Sequence, residues 1–331
     1  MTNRERFIAV LNGEKPDRLP VVEWASWWDQ TVNKWMEQGM PQPEGDDPIQ
    51  RFYGLDPLRQ IWISPRAGSC PQPKGHGAAL MTDEADYEAL KPHLYPEESI
   101  QQAVNIAKAW QEGHERGDYA QWLTIEGFFW FPRTLFGIED HLYSFYDYPE
   151  LLHQINEDVA QYHLKCLEAL LPVFRPEFMT FAEDMSYNLG PMLSKECYDE
   201  FMLPYYKKVI PLLKEYGVKV LIDTDGNVEP LIPWFKEAGI EGVLPLERQA
   251  GVDVNRIREN HPDWIMVGGY NKLIMHKGEE AMREEFERIL PAMKSGRYVP
   301  SVDHQTPPDV TMENYKIYVK LLKEYAQKAA E

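Results

Sequence analysis

Two aspartates one residue apart close an apolar run. Val218–Ile222 leads into Asp223-Thr224-Asp225-Gly226-Asn227. Strand alternation places Asp223 and Asp225 on one face. Carboxylates that close repel unless a cation or protons sit between them. His304 ends a second such run, Tyr298–His304, ahead of Gln305-Thr306-Pro307-Pro308. An imidazole there can ligate a metal or shuttle protons near neutral pH. Together Asp223, Asp225 and His304 would form a divalent metal site, for zinc or for a harder ion such as iron or manganese. Competing readings are a surface turn at Asp225-Gly226 and a histidine packed by prolines. Glu183-Asp184 ends a third run, Phe178–Asp184. Neighbouring strand residues face opposite sides, so one of the two acids enters a site. Glu183 is taken as that one, a catalytic group or fourth ligand, with a helix-dipole or loop contact as the alternative. Glu126 and Glu247 are secondary candidates, since acids at strand ends often cap helices or pair with cations. Trp24, Trp27, Trp28, Phe128, Phe129 and Trp130 could wall a flat, apolar substrate cavity. Core packing is the alternative for about half of these aromatics. Tyr187 and Tyr270 complete the expected substrate contacts.

These residues need elements to carry them. Six short apolar runs end on an acid, a histidine or a Gly-rich turn: Gln121–Glu126, Phe178–Asp184, Lys219–Asp225, Gly242–Glu247, Trp264–Tyr270 and Tyr298–His304. Arg18–Trp24 and Leu58–Ser64 raise the expected strands to eight. Helical periodicity fills the gaps at Asp86–Leu90, Glu97–Gly113, Glu139–Ala169 (split near Tyr148-Pro149), Ser194–Tyr216, Val228–Ala238, Val254–Asn260, Lys277–Lys294 and Thr311–Ala330. Strands alternating with helices imply parallel pairing. The expected fold is α/β, a single (β/α)8 TIM barrel over residues 1–331, with an N-terminal helical extension and long loops, 40–58 and 64–85, around its second strand. A doubly wound open sheet is the alternative. In a barrel, the rim at the strand C-termini carries the chemistry.

Composition narrows the function further. The 331 residues are 44% hydrophobic, enough for one large core, and no apolar run is long enough to span a membrane. The charged N-terminus has no signal-like stretch, so a cytoplasmic location is expected. Cys70, Cys166 and Cys197 suggest neither a disulfide framework nor a Cys-only zinc site. A net charge of −19 without a basic run argues against nucleic acid. No G-x-S-x-G, P-loop, H-E-x-x-H or post-strand G-x-G-x-x-G occurs, which disfavours serine hydrolysis and nucleotide chemistry.

Several segments resemble the uroporphyrinogen decarboxylase superfamily. They are Arg4–Gly13 with Pro16-Asp17-Arg18-Leu19-Pro20, Gly190–Ser194 with Phe201–Tyr206, Asp225-Gly226-Asn227, and His304-x-x-Pro307-Pro308 with Glu313-Asn314. The resemblance implies the same barrel and two chemistries. One branch decarboxylates a porphyrinogen without a cofactor. The other uses zinc to move methyl groups between a corrinoid protein and a thiol or other acceptor. Where the decarboxylases carry an arginine-rich segment, this chain has Trp24–Gln30, without arginine. Where they carry an aspartate after the second strand, it has Ile61–Pro65, without an acid. A substrate with many carboxylates needs clustered arginines. The methyltransferase zinc ligands, His-x-Cys and a later Cys, are replaced by Asp223, Asp225 and His304.

The expectation is therefore a metal-assisted, methyltransferase-like enzyme with a corrinoid as co-substrate. Its partners would be a small-molecule substrate, a corrinoid protein and a second copy of the chain in a homodimer. One alternative is a cofactor-free decarboxylase using Asp225 and His304 as acid and base. Another is a non-catalytic corrinoid- or tetrapyrrole-binding protein.

Overall fold

The computed structural model describes all residues, 1–331. Seven of the expected strands form: β1 (Leu58–Ile63), β2 (Ala120–Glu126), β3 (Phe178–Ala182), β4 (Lys219–Asp223), β5 (Gly242–Leu244), β6 (Ile265–Tyr270) and β7 (Tyr298–Val302). They lie in chain order in one curled sheet, and every pair is parallel. The register sets Glu126 beside Ala182 and Ala182 beside Asp223, so three strand ends lie level. Long amphipathic helices, among them Glu97–Arg116, Pro149–Leu170, Glu279–Lys294 and Met312–Ala330, bury apolar stripes against the outer layer. The expected break at Tyr148-Pro149 occurs, because Pro149 can start a helix but cannot continue one. Within the Pro-rich stretch 40–58, Pro48–Tyr53 folds into a short helix instead of loop.

The expected first strand does not form. Arg18–Trp24 is extended but joins no ladder. Pro20 lacks an N–H. Val21 spends its backbone on Asp56, whose side chain accepts from the Val21 N–H at 2.9 Å and whose own N–H donates to the Val21 carbonyl. Trp24 turns its indole N–H to the Val302 carbonyl at 2.7 Å, at the end of β7. The segment thus bridges β1 and β7 mainly through side chains. The result is a barrel-like sheet of seven strands with a side-chain seam.

The opposite end of the sheet is closed by the N-terminal helix, Asn3–Asn12, whose Phe7 ring stacks on Phe178 at 5.5 Å. Inside the sheet, Gln60 donates to Thr124, and Thr124 bonds Thr180, each at 2.8 Å. That paired polar layer is the floor below the strand ends. The three cysteines are free and buried, and no helix is long and apolar enough to cross a membrane.

Glu23 sits fully inside the seam, accepting from Ser301 and, at 3.2 Å, from the Tyr315 hydroxyl. Burial pushes its carboxyl up to about 8 from the usual 4.5. The folded state therefore holds a proton that the unfolded chain loses first. Between those values stability falls as pH rises, by about 1.4 kcal/mol per pH unit at most. Urea unfolding should show a lower midpoint at pH 8 than at pH 5. Glu23→Gln should flatten that slope, and an unchanged slope would remove Glu23 as its cause.

Candidate functional site

The strand C-termini surround a cavity of about 320 Å³. Its acids come from two neighbouring strands. Asp223 is the last residue of β4, and Asp225 follows two positions later on the same side, as alternation predicts. Asp184 enters from the end of β3. His304 arrives beyond β7, its Nε2 3.7 Å from Asp225 Oδ2, an ion-pair separation rather than a hydrogen bond.

Local backbone chemistry holds these groups. Gly226 turns with φ 82°, and its N–H donates to Glu247 at 2.9 Å. A Cβ on Gly226 would fall 2.6 Å from the Tyr187 backbone, so only glycine lets the Asp225 loop lie against the Ser186–Pro191 hairpin. Ser186 caps the Asp225 carbonyl. His304 is positioned by its neighbour Asp303, whose buried carboxylate accepts from the Arg248 and Lys272 N–H groups, both at 3.1 Å, and from the Gln249 amide at 2.7 Å. Asp303 thereby fastens the loops after β5, β6 and β7 together.

The electrostatics follow from crowding in a desolvated mouth. Burial, then the charges of Asp184 and Asp225, push the Asp223 carboxyl well above its usual range, and no hydrogen bond offsets them. Burial and the charges of Asp184 and Glu247 lift Asp225 to about 7. Burial also raises Asp184, although Arg133 partly offsets it at 3.7 Å. His304 moves the other way, because burial and the Lys272 charge disfavour its cation. Crowding and burial therefore raise the proton affinity of the three carboxyls and lower that of the imidazole.

The structure gathers Asp223, Asp225, His304 and Trp24 as expected and redirects others. Glu183 lines the cavity, but its carboxylate is committed elsewhere. It accepts from the N–H groups of Phe128, Phe129 and Trp130 at 2.8, 2.7 and 3.0 Å and from the Tyr206 hydroxyl. It caps the helix Trp130–Phe136. Its neighbour Asp184 reaches the cavity as well, because φ of +47° breaks the strand alternation there. Phe128 is core, packed among Phe181, Tyr205 and Tyr206. Tyr270 is also core, against Phe286 and Tyr318. Glu126 is buried beside Ser64, which donates at 2.6 Å, with Arg66 at 3.8 Å, and it stands outside the cavity lining. Glu247 holds the Asp225 loop, Tyr187 supports that loop from an exposed hairpin, and Trp28 lies in an adjoining surface groove. Trp62 and Trp122 join Trp24 and Trp130 in the wall. Alternation from Gln60 and Thr124, which face inward, would have found both.

The metal centre does not assemble from these positions. No three His, Cys, Asp or Glu side chains lie close enough together to hold one ion. Asp184, Asp223, Asp225 and His304 share a mouth without converging on a point, so the donor set does not fit a resident metal as placed.

Comparison with known proteins adds two findings. Residues 133–325, more than half of the chain, match the family model described as uroporphyrinogen decarboxylase (URO-D). The uroporphyrinogen decarboxylase of Ruthia magnifica subsp. Calyptogena magnifica is 21% identical over 189 residues, 55% of this chain and 52% of that protein. That of Campylobacter concisus is 22% identical over 182 residues, 53% and 49% of the two chains. The match spans about half the length of these relatives. Among solved structures, a methyltransferase from Methanosarcina mazei superposes with a TM-score of 0.70 at 17% identity, covering 98% of this chain and 99% of that one. The likeness shows a shared fold over the whole length.

Proposed function

This chain belongs to the uroporphyrinogen decarboxylase family, and from that premise we propose a methyltransferase-like enzyme that takes a methyl group from a small donor to a corrinoid or thiol acceptor. Asp225 and His304 handle the proton. The observation that carries this reading is their pairing at 3.7 Å in the cavity mouth, with the Asp225 proton held to about 7 and His304 kept neutral. An acid and a base so tuned work near neutral pH. In the transfer, the donor's heteroatom–methyl bond breaks and the acceptor–methyl bond forms. The heteroatom keeps the bonding pair and takes the Asp225 proton. His304 relays a replacement proton from solvent. Burial and the charges of Asp184 and Glu247 sustain the high proton affinity of Asp225. The fold shared with a methyltransferase along the whole chain supports the assignment.

The same acid–base pair would serve decarboxylation, the second reading. No arginine or lysine lines the cavity, so clustered substrate carboxylates would find no counter-charge there. That disfavours a porphyrinogen as substrate.

The test is methyl transfer from O-methyl and N-methyl donors to cob(I)alamin or a thiol, with and without added zinc, iron(II) or manganese. Turnover is expected without added metal. Turnover only with metal would replace the proton route by a metal centre on Asp223, Asp225 and His304. Release of CO2 from a carboxylic acid, with no methyl movement, would overturn the proposal.

A further inference from the structure

The cavity wall and its charge point to a ligand class. Trp24, Trp62, Trp122 and Trp130 all line it. Two indole N–H groups are already committed, Trp24 to the Val302 carbonyl and Trp122 to Thr124. These rings therefore offer the ligand carbon surface rather than a hydrogen-bond donor. The neutral polar side chains are likewise paired: Gln60 donates to Thr124 at 2.8 Å, and Gln305 donates to Ser26 at 3.1 Å. Asp184, Asp223 and Asp225 crowd together there with no lining cation, so a bound cation would stabilise their ionised forms. Two cations stand behind the wall. Arg133 approaches Asp184 at 3.7 Å with its guanidinium 5.1 Å from the Trp130 ring centre, and Lys272 acts on Asp225 and His304. Asp223 has no such partner.

Indole faces beside one carboxyl without a cationic partner, Asp223, and few free donors, select a cation whose charge is cloaked in methyl groups. A bare ammonium would want hydrogen-bond acceptors on all sides, and a neutral apolar ligand would leave the carboxylates uncompensated. The volume of about 320 Å³ suits a small ligand. We propose that this cavity recognises a small methylated ammonium compound, in which a quaternary nitrogen lies against the tryptophans with Asp223 as counter-charge. The inference names the donor class for the methyl transfer proposed above, and it rests on that reading only for the fate of the ligand.

Calorimetry and tryptophan fluorescence would compare choline with 3,3-dimethylbutan-1-ol, which has the same shape without the charge. Choline should bind at least about tenfold tighter. Asp223→Asn should abolish that preference while leaving the weak binding of the alcohol. Trp62→Ala should weaken choline by about tenfold. Trp62 is half exposed, so its loss should leave the fold intact, which circular dichroism would check. Equal binding of the two ligands, or no choline binding at tens of millimolar, would overturn the proposal. Choline bound without any methyl transfer supports the site and counts against the enzymatic reading. Transfer from a methoxy donor, with choline excluded, counts against the site alone.

Discussion

Asp225→Asn should lower kcat/KM for methyl transfer by about 10²–10⁴-fold, the usual contribution of a positioned acid or base. The substitution keeps size and shape, and the backbone there is held by Gly226 on Glu247 and by Ser186 on the Asp225 carbonyl. What it removes is the proton. In the parent enzyme Asp225 must be protonated to act, and its carboxyl titrates at about 7. The rate should therefore hold level below that pH and fall about tenfold per unit above it. Asn has no such limb, so the residual rate should lose that dependence. His304→Gln should cost a similar factor. The double variant should be little worse than the poorer single one, because the two groups act on one proton. A rate within threefold of the parent in Asp225→Asn, with folding confirmed, would remove Asp225 from the chemistry.

The largest stability effect should come from a residue with no side chain. Gly127 lies directly before the three N–H groups that Glu183 accepts. A Cβ on Gly127 would sit 2.0 Å from the Glu183 carboxyl carbon. Neither partner has room to yield, since Glu183 is buried and also bonded to Tyr206. Gly127→Ala should cost more than about 4 kcal/mol, in the range reserved for broken buried networks. Glu183→Ala should approach it, because each orphaned donor costs about 1–3 kcal/mol. Urea denaturation measures both, and a Gly127→Ala protein within 1 kcal/mol of the parent would refute the packing argument. Glu183→Gln separates structure from chemistry. It should lower the unfolding midpoint while kcat per folded molecule stays within about threefold, because its carboxylate serves the Trp130–Phe136 helix.

Much of the architecture was legible because it is written in local runs. Asp223 and Asp225 lie two apart after an apolar strand, and alternation alone set them on one side. Tyr148-Pro149 announced its break through proline's missing donor. Arg18–Trp24 reads as a strand by the same logic, yet its hydrogen-bond partners are Asp56 and Val302, far away in the chain. No local pattern announces that such partners will replace a ladder. Half of the aromatic wall lay within reach of the alternation rule, which puts Trp62 on the face of Gln60 and Trp122 on that of Thr124.

By itself the sequence determined the parallel α/β order, the rim where the strands end, the family likeness and the placing of Asp223 and Asp225 on one side of a strand end. Those follow from periodicity and from residue types at short spacing. Only the tertiary structure decided that Asp184 joins the mouth while Glu183 spends its carboxylate on a helix start, that Phe128 and Tyr270 are core, and that the acids share a mouth without closing on one ion. The physical reason is that alternation ends with the ladder. Past the last sheet bond a single left-handed φ, as at Asp184, reverses the direction of a side chain, and the contacts that stabilise it come from distant segments.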